Sequence, residues 1–423
     1  MIAMNKEPVT IIGAGIVGIC CALSLAKRGV PVRLIDRDQP GQGTSFGNAG
    51  VISPWSIIPM ALPGLWKKIP SLLLSRDRPL SVSPEFWPQM ISWGSKLLLN
   101  SNEESVRKTA DTMSYLCGPS IELFREHLMG TGHENLIVDS YYVHVFRDAN
   151  KVSLDNLDYR IRLEKGGDLE LITDNELRRF EPALSPKYKA AVIIKGQART
   201  LSPGKLSEVL VEKAKSLGVE VINLDVSSIR KQADGWEIEG NGSHLTSSRV
   251  ILAAGVWSKK LLEPLGVKVP LATERGYHIE ISDPQVELNN SIMDMEAKIV
   301  ASTMMNGLRL AGAAEFAHPD KPADQSREGL LTTQAKTMFP DLNVGKTNFW
   351  MGRRPSFPDS LPMLGEIEGQ KDFYAAFGHS HFGLMMAPKT GEVLADILTG
   401  KKPDFDMKAF SLRRFKMTNG AST

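Results

Sequence analysis

The sequence predicts an α/β protein in which a Rossmann-type dinucleotide-binding domain carries a second domain of mixed sheet and helices. Three observations carry that prediction. Residues 9–36 run apolar strand, G-x-G-x-x-G, helix, strand and terminal acid, the order a nucleotide-binding βαβ unit needs. Residues 204–222 run helix, glycine, strand, and residues 250–255 form an apolar strand ending in Ala254-Gly255, so pieces of the same kind recur far along the chain. Alternating β-branched and aromatic runs, of which 136–146 is the longest, read as strands of a different sheet.

The first unit can be justified residue by residue. Residues 9–12 are continuous and apolar, as a buried parallel strand requires. Gly13 permits a tight turn, Gly15 lets the backbone approach a pyrophosphate, and Gly18 lets the next helix pack close to the strand. Ala14, Ile16 and Val17 complete the turn, and the positive end of helix 16–27 faces the phosphates. Gly29 ends the helix, 32–35 is the second strand, and Asp36, followed by Arg37, stands where an acid accepts hydrogen bonds from ribose hydroxyls. A secretory signal is not expected here, because glycines interrupt the apolar run and no small-residue cleavage site follows it.

Bulk properties narrow the classes. The 423 residues suffice for two or three domains with a sizeable core. A net charge of +2 supplies no field for nucleic acid. Cys20, Cys21 and Cys117 give no disulfide framework, so a reducing, cytoplasmic compartment is expected. His379 and His381 lack cysteine or acidic neighbours at metal-ligand spacing, and no metal is expected. No apolar run reaches the ~18 residues of a membrane span.

Residues 37–50 form a loop of small and polar residues. It is either a plain glycine-rich connector or a wrap for a diphosphate and a flat ring. The residues Gly13-Ala14-Gly15 with Asp36, then Thr44-Ser45 and Asn48-Ala49-Gly50, resemble the D-amino-acid oxidase superfamily of FAD-dependent oxidoreductases. The likeness is greatest to bacterial D-amino-acid dehydrogenases, including D-proline and hydroxy-D-proline types, and to glycine oxidases. Residues 350–365 match that family's Trp-x-Gly-x-Arg-Pro-x-x-Pro-Asp-x-x-Pro-x-x-Gly motif, and 378–391 resemble its glycine turn into the last helix. The likeness spans nearly the whole chain and is weakest from 76 to 190.

The resemblance implies a glutathione-reductase-like FAD domain made of 7–75, 190–272 and 350–405, with a mixed-sheet α+β substrate domain made of 76–189 and 273–349. It implies FAD held by the glycine turn, Asp36 and Arg37, by Thr44, Ser45, Asn48, Ala49, Gly50 and Val51, by the backbone of Val226, by Ala254, Gly255 and Trp257, and by Gly352, Gly378, His379, Phe382, Gly383 and Leu384. It implies oxidation of a D-amino acid such as D-proline or cis-4-hydroxy-D-proline to the imino or keto acid, the α-hydrogen leaving as hydride to flavin N5. Electrons then pass to a quinone or another carrier. Two alternatives stay open: an oxygen-using glycine- or sarcosine-type amine oxidase, and an FAD-bound subunit of a larger dehydrogenase complex.

Arginine is the side chain best shaped to hold a substrate carboxylate, since its planar fork makes bidentate charged hydrogen bonds. The Arg-Pro of the motif assigns this to Arg354, with Arg353 facing away on an extended segment. Tyr277 is a candidate lid over the substrate, and His379 and His381, two apart at a strand end, are candidates to border it. No dedicated base is expected, because the cofactor supplies the hard chemistry.

The remaining elements follow in order. Residues 55–74, with Trp55, Trp66, Lys67, Lys68 and a leucine cluster, read as a buried lid or a membrane-surface contact, with prolines preventing a long helix. The membrane reading implies peripheral attachment at the cytoplasmic face of the inner membrane. Helices are expected at 86–99, 103–128, 174–180 and 328–339, strands at 190–194 and 373–377, and a hairpin of 292–301 with 308–314 around Asn306-Gly307.

Overall fold

The computed structural model describes residues 7–75 and 77–415. Short apolar strands from distant parts of the chain assemble a six-stranded sheet. Its order is Met363–Glu366, Phe373–Phe377, Val250–Leu252, Val9–Ile12, Val32–Asp36 and Glu220–Asn223. All neighbours are parallel except the first pair. Ile11 stands between Ile251 and Leu34, and all three are fully buried, which is why these strands read as unbroken apolar runs.

The helix Ile16–Lys27 is apolar almost all round and therefore buried. It packs between Pro203–Ser216 and Gly383–Leu398. Contact with the latter is intimate: a Cβ at Gly391 would sit 2.5 Å from the Cys20 carbonyl oxygen and 2.9 Å from Ser24 Oγ. Arg28 closes the same seam, its Nη2 2.6 Å from Glu392 and 2.9 Å from Asp396. The three cysteines are buried and free.

The second sheet has ten strands. Its main path runs Thr347–Ser356, Ala272–Ile281, Gly307–Phe316, Ile299–Met304, Ser291–Asp294, Ile137–Phe146, Ala190–Thr200 and Val51–Ile52. Leu80–Val82 and Leu169–Thr173 flank it. Alternation gives it two faces. One buries Tyr277, Ile279, Leu310, Ile299 and Val143 in a core with Leu331 and Ala335 of the helix Ser326–Met338. The other presents Glu274, Gly276, Ala311, Val300, Met293 and His144 to a cavity.

Several expectations are corrected. Ala190–Thr200 and the 350–356 part of Thr347–Ser356, expected in the FAD portion, pair in the ten-stranded sheet: Ile193 lies against Val143, and Gly352 against Gly276. The expected hairpin is three strands. Asp294 Oδ1 accepts from the backbone N–H of Glu296 and Ala297, both at 2.9 Å, and turns the chain there. The next turn is Met305-Asn306, with Met304 paired to Gly307. Residues Leu65–Leu74 are helical despite Pro70, and none of them is buried, so the carbonyl that loses its donor can take water. The buried-lid reading holds only ahead of this helix, where Ile57 and Ala61 are buried; Trp66 is 61% and Leu74 85% exposed. No helix among the described residues is long and apolar enough to cross a membrane.

The Gly391 seam yields a test. Gly391→Val must push the two helices apart, and we expect it to cost about 1–3 kcal/mol of stability, as overpacking does. Thermal unfolding of purified protein measures this, and an unchanged midpoint would show that the helices can separate freely.

Candidate active site

A cavity of about 1150 Å³ lies between the two sheets. At one end the glycine turn is forced by close packing. Gly13 has φ +107°, and a Cβ there would fall 2.4 Å from the Ala253 carbonyl oxygen; one on Gly18 would fall 1.9 Å from the Gly13 oxygen. The helix that follows has no acid in its first turn and no side-chain cap from Gly15. Its Ile16 N–H instead donates to Ser45 Oγ at 2.9 Å. Asp36 braces the turn: Oδ2 accepts from Ala14 N–H at 2.6 Å and Oδ1 from Asp38 N–H at 3.0 Å. Burial pushes its carboxyl up, against those two N–H groups.

Of the residues expected at the cofactor, all line this cavity except Ala14, Gly18 and Gly50. Those three act from behind it. Ala14 donates to Asp36, Gly18 packs on Gly13, and Gly50, at φ +80°, fits against the Thr200 carbonyl. Arg37 lies over the Trp257 ring at 4.0 Å.

The loop 44–50 is pinned to the ten-stranded sheet by side chains that sequence reasoning missed. Thr44 Oγ1 donates to the Arg353 carbonyl at 2.9 Å. Arg309 Nη1 donates to the carbonyls of Asn48 at 2.8 Å and Phe46 at 3.2 Å, while its Nη2 lies 2.6 Å from Glu280. His278 Nδ1 is 3.0 Å from the Gly47 carbonyl, and burial, with Arg309 adding to it, pushes that imidazole down to about 3. His278 stacks on Trp350 at 4.9 Å, and the Trp350 indole fills the space where Gly47 and Gly352 lack side chains. The available signal was weak: Arg309 and His278 stand among several charged residues on these two strands, Glu274, Arg275, Glu280 and Glu315.

At the far end, Arg354 Nη1 donates to Glu274 Oε1 at 2.7 Å and to the Ala313 carbonyl at 3.3 Å. Its Nε and Nη2 make no hydrogen bond within the described residues. The guanidinium lies across Gly276, where a Cβ would stand 1.9 Å from Nη2. Glu274 also accepts from Ser356 Oγ at 2.8 Å. Burial pushes the Glu274 carboxyl up, but Arg354, His381 and Ser356 outweigh this and hold it below its usual range. Arg353, expected to face away, lines the cavity as well: its side chain donates to the Pro319 carbonyl and lies 5.7 Å from the Trp257 ring.

His381 opens its ring onto the cavity and packs on Phe382. The protein crowded around it holds its imidazole down to about 4, with Glu274 opposing and Arg354 assisting. His379 behaves differently. The strand ends at Phe377, and the turn Ser380–Phe382 breaks the extended spacing that would align the two rings. His379 is 2% exposed, its Nε2 is 3.0 Å from Thr390 Oγ1, and burial pushes it down to about 3. It ties the glycine turn to the last helix and reaches the cavity only from behind this bond.

Tyr277 is also corrected. Strand parity sends Glu274 and Gly276 to the cavity face and Tyr277 to the core face. It borders the cavity only at its edge, is 1% exposed, stacks on Phe349 and donates its hydroxyl to Glu315. It is a core residue and no lid. Among the described residues, no group of three or more His, Cys, Asp or Glu could hold a metal ion.

The glycine cradle, the uncapped helix end and the Asp36 brace fit a dinucleotide, and the cavity continues from them to a free guanidinium edge. Comparison with known proteins agrees. Residues 8–397 match the DAO family model, described as FAD dependent oxidoreductase. The chain is 35% identical to a D-amino-acid oxidase of Bradyrhizobium diazoefficiens, covering 96% of this chain and 98% of that protein. It is 28% identical to a D-amino acid dehydrogenase of Vibrio atlanticus, covering 96% and 99%. A glycine oxidase structure from Geobacillus kaustophilus superposes with a TM-score of 0.74 at 21% identity, covering 96% and 98%, and shares the fold. The chain belongs to the DAO family of FAD-dependent oxidoreductases.

Proposed function

We propose that this enzyme oxidises a D-amino acid to the imino acid, which water hydrolyses, and that cyclic D-proline and cis-4-hydroxy-D-proline are among its substrates. The observation that carries the reading is the Arg354 guanidinium, held by Glu274 across Gly276 with its Nε and Nη2 unbonded beside His381. Two unbonded donors on a planar group suit a carboxylate. The names of the two full-length relatives support the D-series.

Bound FAD supplies the two-electron acceptor. The glycine turn and the Ile16–Lys27 N-terminus would hold its pyrophosphate, Asp36 its ribose, Val226 its adenine, and residues 44–51 and 378–384 its flavin. Arg354 would fix the substrate carboxylate, which leaves the amine and ring side to His381. Glu274 anchors the guanidinium and cancels its charge when no substrate is present. Electrons then leave for a quinone or another carrier. A second reading, direct use of oxygen, is favoured by the oxidase name of the 35%-identical relative.

Anaerobic bleaching of the flavin by a D-amino acid panel tests the reaction, and hydrogen peroxide yield separates oxygen from a carrier. Arg354→Ala should lower kcat/KM by roughly 2–4 kcal/mol, two to three orders of magnitude, with flavin content retained. Gly276→Ala should displace the guanidinium and lower kcat/KM in the same direction while Arg354 stays in place. Near-normal kcat/KM in both variants would move the carboxylate clamp elsewhere.

We propose also that the enzyme sits peripherally on a membrane surface. Six of the twelve large hydrophobic side chains exposed among the described residues fall between 66 and 99: Trp66, Leu74, Trp87, Ile91, Leu98 and Leu99. On the helix Leu65–Leu74, Trp66, Lys67 and Leu74 point one way, while Leu65, Lys68 and Leu72 face the cavity. Lys68, expected as an anchor, is thus on the wrong side. Lys67 would add on the order of 1 kcal/mol at an anionic surface. Holoenzyme should co-sediment with vesicles containing phosphatidylglycerol, and Trp66→Ser with Leu74→Ser should weaken this several-fold. Equal sedimentation of wild type and variant would remove this segment as the anchor.

A further inference from the structure

We infer that the cavity holds a second anion site, formed by Lys298 and Lys68, which takes the side-chain carboxylate of an acidic D-amino acid. The inference rests on the proposed role of Arg354 and ranks substrates within the proposed reaction.

Lys298 lies in the turn that Asp294 builds. Its backbone N–H donates to the Asp294 carbonyl at 2.9 Å, and its φ of +57° is left-handed, so its place is fixed by the turn. It is the next residue beyond the Ile299–Gly312 pair, across from Ala313. The Ala313 carbonyl is the one that accepts from Arg354. Adjacent strands lie about 4.8 Å apart. Lys298 therefore starts one strand away from the carbonyl that the carboxylate clamp touches. Both Lys298 and Ala313 line the cavity.

Lys68 enters from the opposite wall, on the cavity face of the helix Leu65–Leu74. No salt bridge forms at either lysine among the described residues. The acids nearby are otherwise engaged. Asp294 takes Arg147 at 2.6 Å and the Tyr188 hydroxyl at 2.6 Å. Asp158 is 3.7 Å from Arg162, and Glu296 accepts from the Arg147 backbone N–H at 3.2 Å. Arg354 is neutralised by Glu274, while Asp158, Glu296 and Asp294 attract the Lys298 ammonium without forming a salt bridge to it. Lys298 is exposed to the cavity, yet desolvation by the protein around it and repulsion from Lys68 outweigh Asp158, Glu296 and Asp294 and hold its ammonium below its usual range, which an arriving carboxylate would relieve. Met293, Met295 and Val300 supply apolar wall around the site, suited to a short methylene chain.

The test compares ligands of equal length. Holoenzyme is titrated with glutarate and with valerate, five carbons each, and binding is read from the flavin difference spectrum and by calorimetry. Glutarate should bind about tenfold tighter, the size of one charged hydrogen bond, and Lys298→Met and Lys68→Met should each reduce that ratio. Anaerobic flavin reduction should favour D-glutamate over D-norvaline by a similar factor in wild type, and the ratio should fall about tenfold in Lys298→Met and further in Lys298→Glu. Equal binding of glutarate and valerate, or an unchanged ratio in a variant that keeps its flavin, overturns the inference. So does glutarate that competes with the electron acceptor and not with D-norvaline. If D-norvaline bleaches the flavin and D-glutamate does not, the inference fails and the proposed reaction stands. If no D-amino acid bleaches it, the proposed reaction fails, and the glutarate titration still decides the anion site.

Discussion

The pairing of Ala272–Ile281 with Thr347–Ser356 is the interaction on which the site depends. Ten residues on each strand run antiparallel without a slip, from Ala272 against Ser356 to Ile281 against Thr347. That register puts Glu274 beside Arg354 and Gly276 beside Gly352. It stacks His278 on Trp350. Through Thr44 and Arg353 it also holds the glycine-rich loop against the sheet. A slip of one residue would exchange the two faces, sending the guanidinium into the core and Tyr277 into the cavity.

Buried charge in this sheet is handled pairwise. Arg309 lies on Glu280, Arg354 on Glu274, and Arg275 is 3.5 Å from Glu315. Such pairs add little net stability, because desolvation offsets most of the attraction. Their effect is geometric: each fixes a guanidinium that then binds something else. Arg309 uses its remaining donor to hold two carbonyls of the loop, and Arg354 keeps a free edge toward the cavity. Lys298 and Lys68, which are exposed to the cavity, differ: neither forms a salt bridge among the described residues.

The stretch from Leu65 to Leu99 contrasts with the rest of the chain. The helix Leu65–Leu74 has no buried residue, and the helix Trp87–Leu99 buries only Trp93. Elsewhere helices of this apolar content are enclosed, as Ile16–Lys27 is. One face of the first helix closes the cavity and the other leaves tryptophan and leucine exposed.

The glycine turn, Asp36 and the small residues at Ala254-Gly255 were legible because their constraint is local: a strand, a left-handed or crowded backbone position and a helix start follow one another within a few residues. Arg354 was legible through the motif around it. Amino-acid order could not decide where strands 190–200 and 347–356 pair, because an alternating strand fits either sheet and its partner is chosen by packing. Nor could it place Tyr277, which strand parity turns into the core, or separate His379 from His381, which a single turn of 3₁₀ helix sends to different partners. Glu274, Gly276, Arg309 and Lys298 stayed silent for the same physical reason. Each acts on a residue at least 40 positions away in sequence or across a strand, as Arg354 on Ala313 shows with its separation of 41. Contacts of that kind exist only once the register is set.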